Sequence, residues 1–259
     1  MVVVVRGGAR GMGNALCERL AAEGARVVAV ADLQRSAAEA VAESIGGVAF
    51  ELDVCDEAAM QAMVASLEAD YGRIDLFCSN AGIFRGDGGA GLATSASNET
   101  WNAMWQVHVM SHVYAARACL PGMLERGEGY FLNTVSAAGL LSQIGDAAYS
   151  TSKHAAIGFA ESLAITHGDD GIRVSMICPQ AVDTPLAQGL GSMERGPATL
   201  DGFISPEQVA DTVIEGLREE RFMILPHPQV EQYRRSKADN YDRWIGGMRK
   251  LRRQFPDVL

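Results

Sequence analysis

Tyr149 and Lys153 stand four residues apart in the run Tyr149-Ser150-Thr151-Ser152-Lys153, and Ser136 closes an apolar run just upstream. On a helix, residues four apart share a face, which sets an ammonium beside a phenol. A free tyrosine has a pKa of about 10 and is a poor base at neutral pH. Bringing it to about 7 takes roughly 4 kcal/mol of preferential stabilisation of the phenolate, a task for a nearby cation and a positioned hydroxyl. The chemistry open to such a trio is removal of a proton from an alcohol. The spacing alone also fits a half-buried ring beside a solvated amine, so its meaning depends on the elements around it.

Those elements start at the N-terminus. Residues 2–5 form an apolar β-branched run, followed by Gly7-Gly8-Ala9-Arg10-Gly11-Met12-Gly13 and an amphipathic stretch through Leu16 and Leu20. The order reads as strand, glycine-rich turn and helix. Glycines permit the sharp turn and the close approach of backbone to a diphosphate, which the N–H groups and positive end of the helix then hold. Gly24 ends the helix, residues 26–31 form a second apolar strand, and Asp32 sits at its C-terminal edge. A carboxylate there accepts hydrogen bonds from both ribose hydroxyls and repels a 2′-phosphate, which points to NAD rather than NADP. Arg10 in the glycine turn is a counter-signal, because a basic residue can meet a 2′-phosphate.

With these residues in place the chain resembles the short-chain dehydrogenase/reductase family over residues 2–225. The resemblance is carried by separated motifs in the right order: the glycine turn, Asp53-Val54 after the third strand, Asn80-Ala81-Gly82 after the fourth, then Ser136, Tyr149 and Lys153, then residues 179–184. It implies an NAD-dependent oxidoreductase that interconverts a secondary alcohol and a ketone. By the same resemblance Gly7, Gly11 and Gly13 approach the diphosphate, with Arg10 and Met12 beside them. Asp32 and Leu33 meet the adenosine ribose, Asp53 and Val54 the adenine, and Asn80, Ala81 and Gly82 line the cofactor. Pro179, Val182 and Thr184 belong to the segment that closes over the nicotinamide. Ser136 holds the substrate oxygen, Tyr149 is the general acid/base, and Lys153 lowers the pKa of Tyr149 and binds the nicotinamide ribose.

Two departures from the family pattern stand out. Arg6 occupies the place where the glycine motif usually begins with threonine. Its charge either helps hold a diphosphate or is forced unpaired into a tight corner, at a cost of several kcal/mol. His108, in Gln106-Val107-His108-Val109, stands where most relatives carry an asparagine that holds a water linking the lysine to solvent. A histidine there either orders the same water or is an interior residue satisfied by a backbone carbonyl. The pair Pro179-Gln180 replaces the proline-glycine of many members and alters the substrate mouth. A non-catalytic NAD(H)-binding sensor or assembly protein on the same fold is the alternative reading, which the intact Ser136, Tyr149 and Lys153 oppose. Epimerases and dehydratases on related folds usually carry a longer C-terminal substrate domain than this chain offers.

Length and composition agree, since 259 residues with 48% hydrophobic content suit one large α/β domain, residues 1–259. Apolar runs at residues 2–5, 27–31, 48–52, 76–80, 130–135, 174–178 and 222–225 alternate with helical stretches. The expected fold is therefore a Rossmann-type, doubly wound, seven-stranded and mostly parallel sheet with helices on both faces. A net charge of −10 argues against nucleic acid or an anionic membrane as partner. No apolar run is long enough for a signal peptide or a membrane span. The five cysteines are odd in number and lack C-x-x-C spacing, which disfavours disulfides and metal sites and fits a cytoplasmic protein.

Three stretches fall outside the alternation. Residues 86–91 form a glycine-rich loop that leads to Ser97 or Asn98 as the cap of the next helix. Residues 181–204 correspond to the family's substrate lid. In the tail, residues 228–259, Trp244, Met248 and Leu251 recur at helical spacing, so an apolar face packs on its own domain or on a partner subunit. Leu140, Leu141, Ile144, Leu186, Leu190 and Met193 suggest an apolar or aromatic alcohol or ketone as substrate. The resemblance implies a homo-oligomer, dimer or tetramer, through helices spanning residues 101–122 and 147–167.

Overall fold

The computed structural model describes residues 1–88, 92–188 and 196–255. Seven strands form one sheet: β1 (Val2–Arg6), β2 (Val27–Asp32), β3 (Val48–Glu51), β4 (Leu76–Ser79), β5 (Gly129–Thr134), β6 (Ile172–Ile177) and β7 (Met223–Ile224). Their order is β3-β2-β1-β4-β5-β6-β7, and every neighbouring pair is parallel. The expected doubly wound architecture is present, with the sheet wholly parallel. The order reverses between β1 and β4, which opens the crevice where such sheets bind ligands.

Side chains alternate across the sheet, and β1 shows why its run is apolar on both faces. Val2 and Val4 pack with Leu67, Phe77, Met123 and Leu163 on one face. Val3 and Val5 pack with Leu16, Leu20, Val30 and Val213 on the other. The first face is covered by α3 (Glu57–Tyr71), α5 (Ser111–Arg126) and α7 (Ala147–His167), the second by α1 (Gly11–Ala22), α2 (Arg35–Ile45) and α9 (Pro206–Arg218). Alternation places Arg6 on the same face as Val2 and Val4, beneath α5.

The helix ends follow local chemistry. Asp56 caps α3 by accepting from the Ala59 N–H at 3.0 Å. Ser205 and Gln208 form a reciprocal capping box at the start of α9. Of the two expected caps for α4 (Asn98–Trp105), Ser97 serves, accepting from the Thr100 N–H at 3.3 Å. Between α4 and α5 the helix widens into a π-helical turn, Gln106–Met110, with His108 at its centre. All five cysteines are free. No helix among the described residues is long and apolar enough to cross a membrane.

The tail folds into α10 (Gln229–Asp239) and α11 (Tyr241–Gln254). It packs on the segment that follows β5: Val230 is buried against Ala137 and Leu141, with Tyr233 and Trp244 beside them. The Lys237 ammonium is buried and donates to the Leu140 carbonyl at 2.7 Å. Of the substrate-facing stretches, residues 89–91 and 189–195, including Leu190 and Met193, lie outside the described residues.

Candidate active site

A cavity of about 1090 Å³ runs across the C-terminal ends of the strands. Its floor is built from strand ends tied to one another. Asn80 donates from Nδ2 to the Gly7 carbonyl at 3.0 Å and accepts from the Thr134 hydroxyl at 3.2 Å, so β1, β4 and β5 end in one hydrogen-bonded row. A Cβ on Gly7 would lie 2.7 Å from the backbone of Ala81, and Gly7 has φ +69°. The glycine turn and the Asn80-Ala81-Gly82 turn are thus in backbone contact, which only glycine allows.

The structure brings together in this cavity Gly7, Arg10, Gly11, Met12, Asp32, Leu33, Asp53, Val54, Asn80, Ala81, Gly82, His108, Ser136, Tyr149, Lys153, Pro179, Val182 and Thr184. Gly13 is the exception. It is buried, and a Cβ there would fall 1.8 Å from the Gly7 carbonyl oxygen. The missing side chain lets α1 lie against the turn. Arg6 does not line the cavity either, so it does not hold a diphosphate. Leu141, Ile144 and Leu186 line the cavity as expected, whereas Leu140 turns into a neighbouring apolar cluster.

The features needed for a dinucleotide are present. No side chain caps the N-terminus of α1, so its first N–H groups are left for an anionic ligand beside Gly11 and Met12. Asp32 is pinned at the end of β2 by two backbone donors, Ala9 N–H to Oδ2 at 3.2 Å and Gln34 N–H to Oδ1 at 3.1 Å. Arg10 leans across the same edge and donates to Gln34 Oε1 at 2.5 Å.

The reacting end is set by α7. Asp146 caps it, accepting from the Tyr149 N–H at 2.8 Å through Oδ1 and from the Gly86 N–H at 2.9 Å through Oδ2. One carboxylate therefore fixes both the first turn of α7 and the loop across from it, a link that sequence reading missed. The Tyr149 ring packs against Phe84 at 5.0 Å and edge-on to His108 at 5.3 Å. Lys153 is buried, donates from Nζ to the Thr134 carbonyl at 3.1 Å, and lies 5.6 Å from the Tyr149 ring centroid. Ser136 accepts from the Ala138 N–H at 3.1 Å, donates to the Pro179 carbonyl at 3.4 Å and lines the cavity with Tyr149.

The protonation states differ from those the spacing predicts. Burial pushes the Tyr149 phenol up to about 12, with the neighbouring Ser136 hydroxyl pulling the other way. Burial, helped by the Arg6 charge, pulls the Lys153 ammonium down to about 7. In the protein alone Tyr149 is a neutral phenol, the proton-donating form. Desolvation outweighs the cation that was expected to activate it.

His108 is bound on both sides. Its Nε2 accepts from the Ile83 N–H at 3.1 Å, which makes Nδ1 the protonated nitrogen, donating to Ser152 Oγ at 2.9 Å. Neither ring nitrogen is free to hold a water behind Lys153, so the expected side-chain relay is replaced by a structural link. That link is not to a backbone carbonyl, the other expectation. Burial holds the imidazole well below its ordinary pKa, hence neutral.

The wall opposite the strand ends comes from the tail, whose Tyr233, Trp244, Met248 and Leu251 line the cavity. Tyr233 also donates to Asp201 at 3.0 Å, joining α10 to the segment before α9.

Known proteins are similar to this chain in sequence and fold. A 1-deoxy-11-beta-hydroxypentalenate dehydrogenase of Streptomyces exfoliatus is 36% identical over 248 residues, covering 93% of this chain and 88% of the relative. A meso-2,3-butanediol dehydrogenase of Serratia marcescens is 34% identical over 191 residues, covering 73% and 74%. Among solved structures, a short chain dehydrogenase/reductase from Burkholderia phymatum in complex with NAD superposes with a TM-score of 0.84. It is 26% identical, with 93% of this chain and 94% of that chain covered. The short chain dehydrogenase pattern matches residues 1–195. The chain belongs to the short-chain dehydrogenase family, whose oxidoreductases act on CH–OH groups.

Proposed function

We propose that this protein is an NAD-dependent oxidoreductase interconverting a secondary alcohol and a ketone. The observation that carries the reading is the convergence of Ser136, Tyr149 and Lys153 with Asp32 and the uncapped start of α1 on one cavity. A nicotinamide cofactor, when bound, supplies the hydride acceptor or donor. Gly7, Gly11 and Met12 approach its diphosphate, and the Asp32 carboxylate takes the adenosine ribose. Asp53, Val54 and Leu33 flank the adenine side, while Pro179, Val182 and Thr184 face the nicotinamide side.

Ser136 orients the substrate oxygen by hydrogen bonding. Tyr149 donates the proton to the carbonyl oxygen in reduction, the direction for which its raised pKa suits it in the free protein. In oxidation it takes the alcohol proton, which requires further stabilisation of the phenolate by positive charge at Lys153. The apolar wall of Trp244, Met248, Leu251, Ile144 and Leu186 favours an apolar or aromatic substrate and excludes water from the reacting centre.

The preference for NAD rests on Asp32, which repels a 2′-phosphate, against the nearby Arg10. A homo-oligomer is supported by the groove between α5 and α7, lined by Val113, Leu120 and Phe159, and by Ile165 at 83% exposure. The test is a fluorescence titration with NADH and NADPH, followed by secondary alcohols and ketones with the preferred cofactor. Turnover with NADH binding tighter than NADPH is the expected result. Tight NADH binding without turnover across a broad panel would instead mark a non-catalytic binder.

A further inference from the structure

Arg6 is a guanidinium in the protein interior with almost nothing to hold it. It has 0% exposure, and Nη1 donates to Ser111 Oγ at 2.8 Å, while Nε and Nη2 have no hydrogen-bond partner. Among the described residues no carboxylate pairs with it. The sheet register sets Arg6 beside Ser79 of β4, and Ser79 beside Asn133 of β5, whose next residue, Thr134, carries the carbonyl that binds Lys153. Ser79 Oγ, Asn133 Nδ2 and both ring nitrogens of His112 are likewise buried without partners. A polar layer therefore runs from Arg6 to Lys153 beneath α5.

The groups that face this layer can be taken element by element. Cys55 follows β3, His108 lies in the π-helical turn, His112 in α5, Tyr149 and Lys153 in α7, and Cys178 at the end of β6. Burial holds His108 and His112 neutral and keeps the Cys55 and Cys178 thiols protonated at neutral pH. Tyr149 is a neutral phenol there. After burial itself, the Arg6 charge is the main influence lowering Lys153, and like charges in an interior oppose each other's ionisation far more than in water.

We propose that Arg6 is a positioning residue for the proton transfer assigned to Tyr149 and Lys153: an uncompensated buried cation that biases Lys153 toward its neutral form. The inference deepens the dehydrogenase reading and rests on it for its catalytic meaning. Its consequence is that Lys153 changes charge near physiological pH, so the support it lends Tyr149 switches with pH in that range.

The chain has only three lysines, Lys153, Lys237 and Lys250, so ε-13C-lysine NMR resolves the titration of Lys153 directly, without turnover. In the unaltered protein the Lys153 signal is expected to titrate at about 7. Arg6→Met, neutral and of similar length, is expected to raise that midpoint by about half a unit or more. Should Arg6→Met not fold, Arg6→Thr is measured in the same way. An unaltered protein whose Lys153 titrates like an ordinary lysine overturns the proposal, as does an Arg6→Met midpoint equal to that of the unaltered chain. A shifted midpoint in a protein that oxidises no alcohol would uphold the Arg6–Lys153 coupling and remove the dehydrogenase reading, so the two failures are distinct.

Discussion

The His108 imidazole joins the Ile83 N–H, 3.1 Å from Nε2, to the Ser152 hydroxyl, 2.9 Å from Nδ1. It thereby ties the segment after β4 to the helix that carries Tyr149 and Lys153. His108→Ala leaves the half-buried Ile83 N–H and the buried Ser152 hydroxyl each short of a partner and opens a void against the Tyr149 ring. A loss of about 2–4 kcal/mol is expected, read from the urea midpoint, with weakened NADH binding because Ile83 adjoins Gly82. His108→Asn, which restores the family's usual residue, should recover part of that loss. Equal stability of the alanine variant and the original would reduce the link to an incidental contact.

Acid sensitivity follows from the same region. His108 and His112 are held well below their usual pKa by burial. The unfolded chain protonates both near pH 6.5 while the folded one does not, so unfolding binds protons and stability falls as pH drops below that value. Each histidine contributes up to about 1.4 kcal/mol per pH unit, or roughly 2.7 for the pair. Lys153, lowered to about 7, acts in a different window: its cost to stability accrues as pH falls from the unfolded lysine value of about 10.4 to 7 and is constant below. Urea midpoints between pH 7.5 and 5 test this, and His112→Leu should remove about half of the slope. A flat profile would refute the neutral histidines.

Tyr149→Phe keeps the ring contacts with Phe84 and His108 and deletes only the hydroxyl. Turnover in both directions is expected to fall by about 10²–10⁴-fold or more, while NADH affinity changes little, since the phenol does not form the nucleotide floor. Retained turnover would remove Tyr149 from the proton chemistry. A parallel loss of NADH binding would show that the ring has a packing role in the cofactor site.

What the chain discloses by itself is uneven, and the reason is distance along the sequence. Strand, glycine turn and helix at residues 2–20 are legible because every residue acts on near neighbours, and the same holds for Asn80-Ala81-Gly82. The destination of Arg6 was legible in principle, since alternation with Val2 and Val4 assigns its face. Its solitude was not, because that depends on Ser111 and on which side chains are missing around it. His108 was left between a water holder and an interior residue bonded to a backbone carbonyl, because its partners, Ile83 and Ser152, come from other segments and meet it only through the π-helical turn. The pKa of Tyr149 went the opposite way to expectation because spacing reports the neighbouring cation and says nothing of desolvation. Gly13 was counted among ligand contacts by its place in the motif, and the closeness of the Gly7 carbonyl, which leaves no room for a Cβ, is a tertiary fact the motif does not report.

Asp32→Ala probes the choice of cofactor. The carboxylate is held by the Ala9 and Gln34 N–H groups, and Arg10 stands next to it through Gln34. Removing it deletes the ribose acceptor and leaves Arg10 as the nearest charge for a 2′-phosphate. The ratio of NADPH to NADH dissociation constants is expected to fall by about tenfold or more, equivalent to 1.4 kcal/mol. An unchanged ratio would place the discrimination elsewhere on the adenosine edge.

Trp244 is the point where the tail enters the substrate site. No residue of α11 is fully buried, so the helix rests on the half-buried face that includes Trp244 against the cluster of Ala137, Leu141 and Val230. That cluster adjoins Ser136, so the same indole both anchors the helix and forms the wall opposite the reacting atoms. Trp244→Ala removes an aromatic contact surface and loosens α11, which should raise KM for a bulky apolar alcohol by about 10–100-fold, or 1.4–2.8 kcal/mol. A small alcohol reaches Ser136 and Tyr149 without touching that wall, so its KM should change far less. NADH affinity should stay near its original value, because the nucleotide floor is built by β1, β2 and β4. A uniform rise in KM for all substrates would mean that the tail shapes the site only through folding, and no rise at all would place the substrate away from α11.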